Sequence, residues 1–385
     1  MSSWIEVSEE RLRGNFQAVA QAAGGDTNVL AVVKANAYGH GAEVCSVVLA
    51  RAGARWLGVT CADEGARVRR VLEAAGFARG DERTPRILVM CGLTPKDVVA
   101  IVEHGLTPAV WTKEQVEWLR GSGVGVHLEV DTGMRRQGVL PGEALDELLE
   151  AMGEAGIGVD GAFTHFCAAE VTGSELTATQ QRRFEEAIAQ VRARGLRPAW
   201  VHAGSSSSVD NPALGRAPDW LVELAKTVDA RAMVRCGIAL YGYCLPIEGA
   251  AESKLRDALR PAMTWKTRVM DVRELAAGDT VGYNGTFRAR RAMRLALLPV
   301  GYADGIRREL SGSDARPGGW VMVRGERAGI VGRVSMNLTS VDVTGIDGVR
   351  VGDEVVLLGD GVTADDHARL AETIPYEILC GVRTG

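Results

Sequence analysis

The chain is 385 residues long and 46% hydrophobic, with 44 Lys and Arg against 49 Asp and Glu for a formal net charge of −5. That length suits two domains rather than one, and the mild acidic balance, with no basic block, argues against nucleic acid or an anionic membrane as partner. Seven cysteines, none in a C-x-x-C pair, fit reduced thiols in a cytoplasm rather than a disulfide frame or a zinc site, so no metal is expected.

The opening Met1-Ser2-Ser3-Trp4-Ile5-Glu6 lacks the charged-then-apolar pattern of a signal peptide, and no apolar run is long enough to span a bilayer. Short apolar runs then alternate with amphipathic stretches. Strands are expected at Asn28–Val33, Trp56–Val59, Ile87–Met90, Pro108–Val110, Val124–Val130, Val159–Phe163, Trp200–His202 and Met233–Ile238. Helices are expected between them, at Ala42–Ala52, Ala62–Ala75, Lys113–Arg120, Glu143–Ala155 and Thr177–Arg194. Eight β-α units over residues 1–245 suggest a TIM barrel, with a doubly wound open sheet as the alternative. After Leu240-Tyr241-Gly242 the texture changes. Glu248 to Pro261 reads as a polar, helix-prone connector. Beyond it come short β runs with glycine punctuation: Trp265–Val272, Arg294–Leu298, Trp320–Arg324, Ala328–Val331 and Val355–Leu358. Residues 246–385 therefore read as a mainly-β second domain of barrel or sandwich type, with an exposed loop at Ser311–Gly319 and a closing helix from Ala364 to Glu372.

One lysine stands out. The first strand stops on Lys34 and passes into the small-residue turn Ala35-Asn36-Ala37-Tyr38-Gly39-His40-Gly41. Lysine is rarely buried without a partner. At the end of a core strand it either snorkels to solvent or is used chemically, as a desolvated amine that forms a Schiff base with an aldehyde cofactor. In a barrel, strand ends carry the chemistry, and Arg136, His165, Ser206, Arg235 and Gly237 also fall at or near them.

The lysine segment resembles the pyridoxal-phosphate signature of the alanine racemase family. The resemblance continues, in the family's order, through Asp131-Thr132-Gly133-Met134-Arg135-Arg136, Phe163-Thr164-His165-Phe166, Arg235 to Gly242, Gly282-Tyr283, Gly301 to Gly305, Gly332 to Met336 and Pro375 to Leu379. It implies that Lys34 carries pyridoxal 5'-phosphate as a Schiff base and acts as one base, with Tyr283 as the second base on the opposite face of the substrate. A phenol titrates near 10 when unperturbed and must be tuned toward working pH to serve. The resemblance gives that tuning to His165 and Arg235, and sets Arg235 against the pyridine nitrogen. The loops after strands 7 and 8 are the usual phosphate site of a barrel, and here they offer Ser206 and the N–H groups of Gly237 and Ile238; the resemblance adds the hydroxyls of Tyr38 and Tyr376. Arg136 would meet the ring hydroxyl and the substrate carboxylate, a task suited to a guanidinium fork. Tyr302 and Met336 would complete the substrate side. The implied assembly is a homodimer with shared active sites, the β domain of one subunit facing the barrel of the other.

The chain departs from the family at several places around this site. Glu129 stands where many members carry a lysine modified to a carbamate, so Glu129 is expected to pair with Arg136 in its place. Asn337 replaces the usual aspartate, Cys236 a common proline, and Ser335 a common cysteine. An extra polar neighbour at Asn337 opens the alternative of serine, or a broader range of small amino acids, beside alanine as substrate. A non-catalytic pyridoxal-phosphate carrier is a further alternative, although Tyr283, Tyr302 and Met336 argue against it. A decarboxylase is disfavoured because neither Cys244 nor Cys380 has the acidic setting such enzymes use.

Overall fold

The apolar runs of the first part of the chain pair in parallel and close on themselves. The computed structural model describes residues 3–211, 217–250, 253 and 255–384. Contacts divide the chain into two compact units, one comprising Leu12–Ala37 and Gly41–Arg260, the other Met1–Arg11, Tyr38–His40 and Pro261–Gly385.

The larger unit is a closed barrel. Numbering strands from the N-terminal β1 (Ser3–Val7), its staves are β2 (Thr27–Val32), β3 (Trp56–Val59), β4 (Arg86–Val89), β5 (Thr107–Val110), β6 (Val126–Glu129), β7 (Val159–Phe163), β8 (Trp200–His202) and β9 (Arg231–Cys236). Closure comes from β2 pairing with β9, in register from Thr27↔Ala232 to Ala31↔Cys236. This excludes the open doubly wound sheet. The staves are buried on both faces, β3, β5 and β6 along their whole length, because helices cover the outside and side chains fill the inside. Helix Glu143–Ala155 shows the matching pattern: Leu145, Leu148, Leu149 and Met152 are buried at helical spacing. Helix Lys113–Trp118 starts at a capping box between Thr112 and Gln115. The helix Glu9–Ala23 is an element the sequence reading does not include.

The smaller unit holds an antiparallel sheet of eight strands in the order β1-β10-β18-β15-β16-β17-β14-β11. Its members are β10 (Met263–Arg268), β11 (Asp271–Leu275), β14 (Met293–Leu298), β15 (Trp320–Val323), β16 (Glu326–Ile330), β17 (Thr339–Asp342) and β18 (Glu354–Leu358), while β12 (Thr280–Val281) and β13 (Phe287–Arg288) form a separate ribbon. The strand β10 alternates buried and open positions from Met263 to Arg268, as a sheet with one covered face requires. The β15–β16 hairpin turns on Arg324 and Gly325, both at positive φ, the geometry of a two-residue hairpin loop.

Three differences from the sequence reading have physical causes. The strand β1 leaves the barrel's chain segment to pair with β10, from Ser3↔Thr267 to Val7↔Met263, so the expected division at residue 245 does not describe where the N-terminal strand sits. The single run expected at Trp265–Val272 is two strands, because β10 pairs with β1 and β18 while β11 pairs with β14. The connector is not a helix where it is described: residues 255–258 form a bend and turns, and residues 251, 252 and 254 lie outside the described residues.

Candidate active site

Lys34 follows β2 directly. The Val33 N–H still donates to Gly58 O at 2.8 Å, and Lys34 is half-buried. The backbone then enters a left-handed turn, with φ of 51°, 54°, 54° and 54° at Ala35, Asn36, Ala37 and Tyr38. Left-handed backbone costs an L-residue about 1–2 kcal/mol, so this stretch persists only because its surroundings hold it. The N–H groups of Ala35 and Thr60 both donate to Glu64, at 2.9 and 2.7 Å. The Ala37 N–H donates to Val33 O at 2.9 Å, and the Ala42 N–H donates to Asn36 Oδ1 at 2.9 Å.

A line of buried polar groups runs inside the barrel. Arg235, 6% exposed, donates from Nη2 to Thr164 O at 2.7 Å and reaches His165 Nδ1 at 3.0 Å. Its Nη1 lies 3.2 Å from His202 Nδ1, and His202 Nε2 lies 2.8 Å from His127 Nδ1. Burial, reinforced by the neighbouring cations, holds His165 and His127 down to about 3, and burial pushes His202 well below its ordinary value. All three imidazoles are neutral at neutral pH. Burial also draws Arg235 down to about 10, which leaves it a cation. A guanidinium can only donate, so His165 and His202 accept at Nδ1 and carry their protons on Nε2. The same direction continues into His127, whose Nε2 has no partner. Space for that ring comes from Gly161, where a Cβ would sit 2.7 Å from it. Gln180 fixes the top of the line. It donates to His165 O at 2.9 Å and to Thr132 Oγ1 at 3.2 Å, and accepts from the Cys167 N–H at 2.9 Å.

The loop after β6 is shaped by Asp131, whose Oδ1 accepts from the N–H groups of Gly133 and Arg135 at 2.9 and 3.0 Å. The chain then returns alongside itself, with Val139 N–H donating to Glu129 O at 2.9 Å. Arg136 is exposed in this loop. The expected Glu129–Arg136 pair is not formed among the described residues. The Glu129 carboxylate accepts instead from Gln137 Nε2, which also donates to Met90 O at 2.9 Å. The returning loop sets residue 137 beside residue 129, and the charge of Arg136 reaches Glu129 only through space. Burial pushes the Glu129 carboxyl up to about 7, against the opposing pull of the Gln137 hydrogen bond and of Arg235 and Arg136.

At the ends of β8 and β9, Ser206 is buried. Its Oγ accepts from the N–H groups of Gly237 and Ala239 at 3.1 and 3.3 Å. With those acceptor positions taken, its own proton is what it has left to give, to an anion or to the neighbouring Cys236 thiol. Ile238 opens the short helical turn Ile238–Tyr241, where the first N–H groups find no carbonyl within the turn.

The smaller unit gathers the other expected residues. Tyr38 and Tyr376 approach with ring centroids 5.8 Å apart. Tyr302 and Met336 are brought together by backbone bonds, Tyr302 N–H to Ser335 O at 3.0 Å and Ala303 N–H to Met336 O at 2.9 Å. Only glycine fits at position 301 beneath them, since a Cβ there would lie 2.2 Å from Ser335 O. Tyr283, Tyr302 and Met336 are 67%, 45% and 57% exposed, and Asn337 is exposed beside them. Sequence reasoning missed Glu64, Gln137, Gln180, His127 and His202. Two signals were available: Glu64 is the third residue of a helix, where a glutamate reaches back to the cap, and His127 shares a strand face with Glu129 two positions on.

Among the described residues no His, Cys, Asp and Glu group could hold a metal ion, and no helix is long and apolar enough to cross a membrane. Residues 7–245 match the family described as alanine racemase, N-terminal domain, and residues 262–384 that described as alanine racemase, C-terminal domain. The chain is 37% identical over 390 residues to the alanine racemase of Symbiobacterium thermophilum, covering 99% of this chain and 94% of that one. Among solved structures it is similar to the alanine racemase from Streptomyces coelicolor A3(2), with a TM-score of 0.84 at 32% identity over 99% of this chain and 96% of that one. The alanine racemase from Bartonella henselae with covalently bound pyridoxal phosphate gives a TM-score of 0.79 at 26% identity, over 99% and 97%.

Proposed function

The chain belongs to the alanine racemase family and is an amino-acid racemase, an isomerase, and from that premise we propose that it inverts alanine with two bases, Lys34 and Tyr283. The carrier and decarboxylase alternatives fall with the family membership. The observation that carries the two-base reading is the one-way line of donors from Arg235. It leaves His165 a neutral imidazole whose free donor is Nε2–H, the group needed to stabilise a phenolate.

The family uses pyridoxal phosphate, and the donor set here fits it. The buried hydroxyl of Ser206, the N–H group of Ile238 at the opening of a helical turn, and the tyrosines Tyr38 and Tyr376 would hold the phosphate, while the Gly237 N–H, expected to join them, donates to Ser206 Oγ and orients that hydroxyl. Lys34 would hold the aldehyde carbon as a Schiff base. When bound, the cofactor supplies an electron sink that acidifies the α-proton of an amino acid. The Lys34 amine takes or returns that proton on one face, and Tyr283 Oη does so on the other. In the shared-site dimer His165 would donate to the Tyr283 oxygen supplied by the other subunit and favour its ionised form. Arg235 would face the pyridine nitrogen, and a guanidinium that donates hydrogen bonds without releasing its proton would leave that nitrogen unprotonated, the sink weaker and side reactions fewer. Arg136, Tyr302, Met336 and Asn337 receive the substrate, with the carboxylate on Arg136. Glu129 contributes a charge that Arg136 and Arg235 feel through space.

Three large side chains left exposed on one unit, Tyr283, Tyr302 and Met336, support a homodimer in which the partner subunit supplies them, since such a patch marks an interface or binding surface. The enzyme would work in the cytoplasm and supply D-alanine for cell-wall peptide or for a secondary pathway.

The test is Cα proton exchange of L-alanine in deuterated water, followed by NMR with chiral analysis of the product. Wild type exchanges and racemises fully. Tyr283→Phe keeps exchange on the Lys34 face and loses inversion. Racemisation by Tyr283→Phe at the wild-type rate overturns the two-base reading. L-Serine run alongside reads whether Asn337 admits a hydroxyl-bearing side chain.

A further inference from the structure

We propose that Glu64 is a positioning residue for Lys34, its carboxylate spanning two strand ends to hold the left-handed turn that orients the lysine. The inference rests on the reading of Lys34 as the cofactor-bearing amine. Glu64 Oε1 accepts from the Ala35 N–H at 2.9 Å and Oε2 from the Thr60 N–H at 2.7 Å. The two donors lie at the carboxyl ends of β2 and β3.

The Thr60 bond alone has an ordinary explanation. Glu64 is the third residue of helix Ala62–Ala74, whose cap is Cys61, and a glutamate there commonly reaches back toward the cap; here it takes the N–H of Thr60, one residue before the cap. Capping needs one oxygen. The other reaches 29 residues along the chain, to a peptide group with no part in the helix. That peptide group is the one joining Lys34 to Ala35. Fixing its N–H fixes the plane that follows the Lys34 Cα, and with it the direction in which the lysine side chain departs.

The turn needs such a tie. Ala35 and Asn36 are exposed, so packing does little for its first half. The bonds from Ala37 N–H to Val33 O and from Gly41 N–H to Asn36 O, with that from Ala42 N–H to Asn36 Oδ1, close the turn on its own flanks. Glu64 ties it to a neighbouring stave. A carboxylate suits this position because both oxygens accept. Glutamine would set an NH2 group against one of two N–H donors, and aspartate, one methylene shorter, keeps the charge and the cap but cannot span both ends.

The test compares the holoenzymes of wild type, Glu64→Gln, Glu64→Asp and Lys34→Ala. The measurements are kcat and KM for L-alanine, the absorbance of the lysine-bound cofactor, the rate at which hydroxylamine strips that cofactor, and the thermal midpoint. A displacement of about 1 Å away from the reacting atoms costs on the order of 100-fold in rate. Both Glu64 variants are therefore expected to lose about 10- to 100-fold in kcat. KM should change little, and stripping should be faster by about tenfold. Glu64→Asp keeps its thermal midpoint and decides the matter if Glu64→Gln does not fold. Wild-type kcat and stripping rate in both variants overturn the proposal. So does a loss of kcat that only tracks a lowered thermal midpoint, which assigns Glu64 to helix capping. Lys34→Ala that retains the lysine-bound absorbance overturns the assignment of Lys34 itself, and the proposal with it.

Discussion

Replacing Glu129 by glutamine should stabilise the protein at alkaline pH far more than at acid pH. Glu129 is 3% exposed and its carboxyl is raised from 4.5 to about 7, chiefly by burial. A carboxyl that binds its proton more tightly when folded contributes no penalty below the unfolded value. Its stability contribution then falls as pH rises from 4.5 to 7, and stays constant above that window. A shift of this size, at 1.36 kcal/mol per unit, corresponds to about 3 kcal/mol when complete. Under 1 kcal/mol of it has been lost by about pH 5, so the difference between pH 5 and pH 8 comes to about 2.5 kcal/mol.

Glutamine keeps an oxygen for the Gln137 amide and removes the charge. The assay is urea unfolding of wild type and Glu129→Gln side by side at pH 5 and pH 8. The comparison between proteins is essential, because His165, His127 and His202 are all depressed. Their contributions run the other way, being present above about 6.5 and lost as pH falls below it. Those contributions cancel between wild type and variant. A stability difference that is equal at the two pH values would refute the reasoning and show that Glu129 is solvated or paired in solution.

Three further outcomes follow from the site. Mixing inactive Lys34→Ala with inactive Tyr283→Phe under conditions that exchange subunits should restore about a quarter of wild-type activity, since half the dimers are mixed and each carries one intact site; sites built within one subunit restore none. Gly161→Ala places a methyl 2.7 Å from the His127 ring and should cost about 1–3 kcal/mol in urea unfolding, as overpacking does. Added bicarbonate should leave racemisation rates unchanged, because residue 129 is a carboxylate with no amine to take up carbon dioxide.

The barrel was legible because a stave buried on both faces must be apolar along its length, and such runs spaced by amphipathic helices admit few arrangements. Trp56–Val59, Val159–Phe163 and Trp200–His202 stand where the pattern puts them. Pairing partners distant in sequence were not legible. Ser3–Val7 is too short to declare itself, and its place follows from residues about 260 positions away. The break between β10 and β11 likewise depends on which strand each half pairs with. The turn after Lys34 reads as small and tight, yet its left hand runs against residue preference at Ala35 and Ala37, so only the surrounding hydrogen bonds reveal it. Charge complementarity suggested Arg136 as the partner of Glu129. The loop's return path chose Gln137, and no pairing rule reads a return path from sequence.

The candidate residues on the two units differ in a way that bears on mechanism. On the barrel, Arg235, His202, His127 and Ser206 are buried and committed to fixed donors and acceptors, so their protonation is set before any substrate arrives. On the other unit, Tyr283 is 67% exposed. A base must be tuned by what covers it. On the proposed reading the tuning group would be His165, through an Nε2–H whose tautomer Arg235 imposes. On the two-base reading proposed above, Tyr283 becomes a useful base only once another subunit's barrel covers it. If the proposed shared-site dimer holds, assembly and activation of the second base are one event, so a substitution that weakens the subunit contact without touching Tyr283 should make racemisation per subunit fall on dilution while the pH profile of the remaining activity is unchanged.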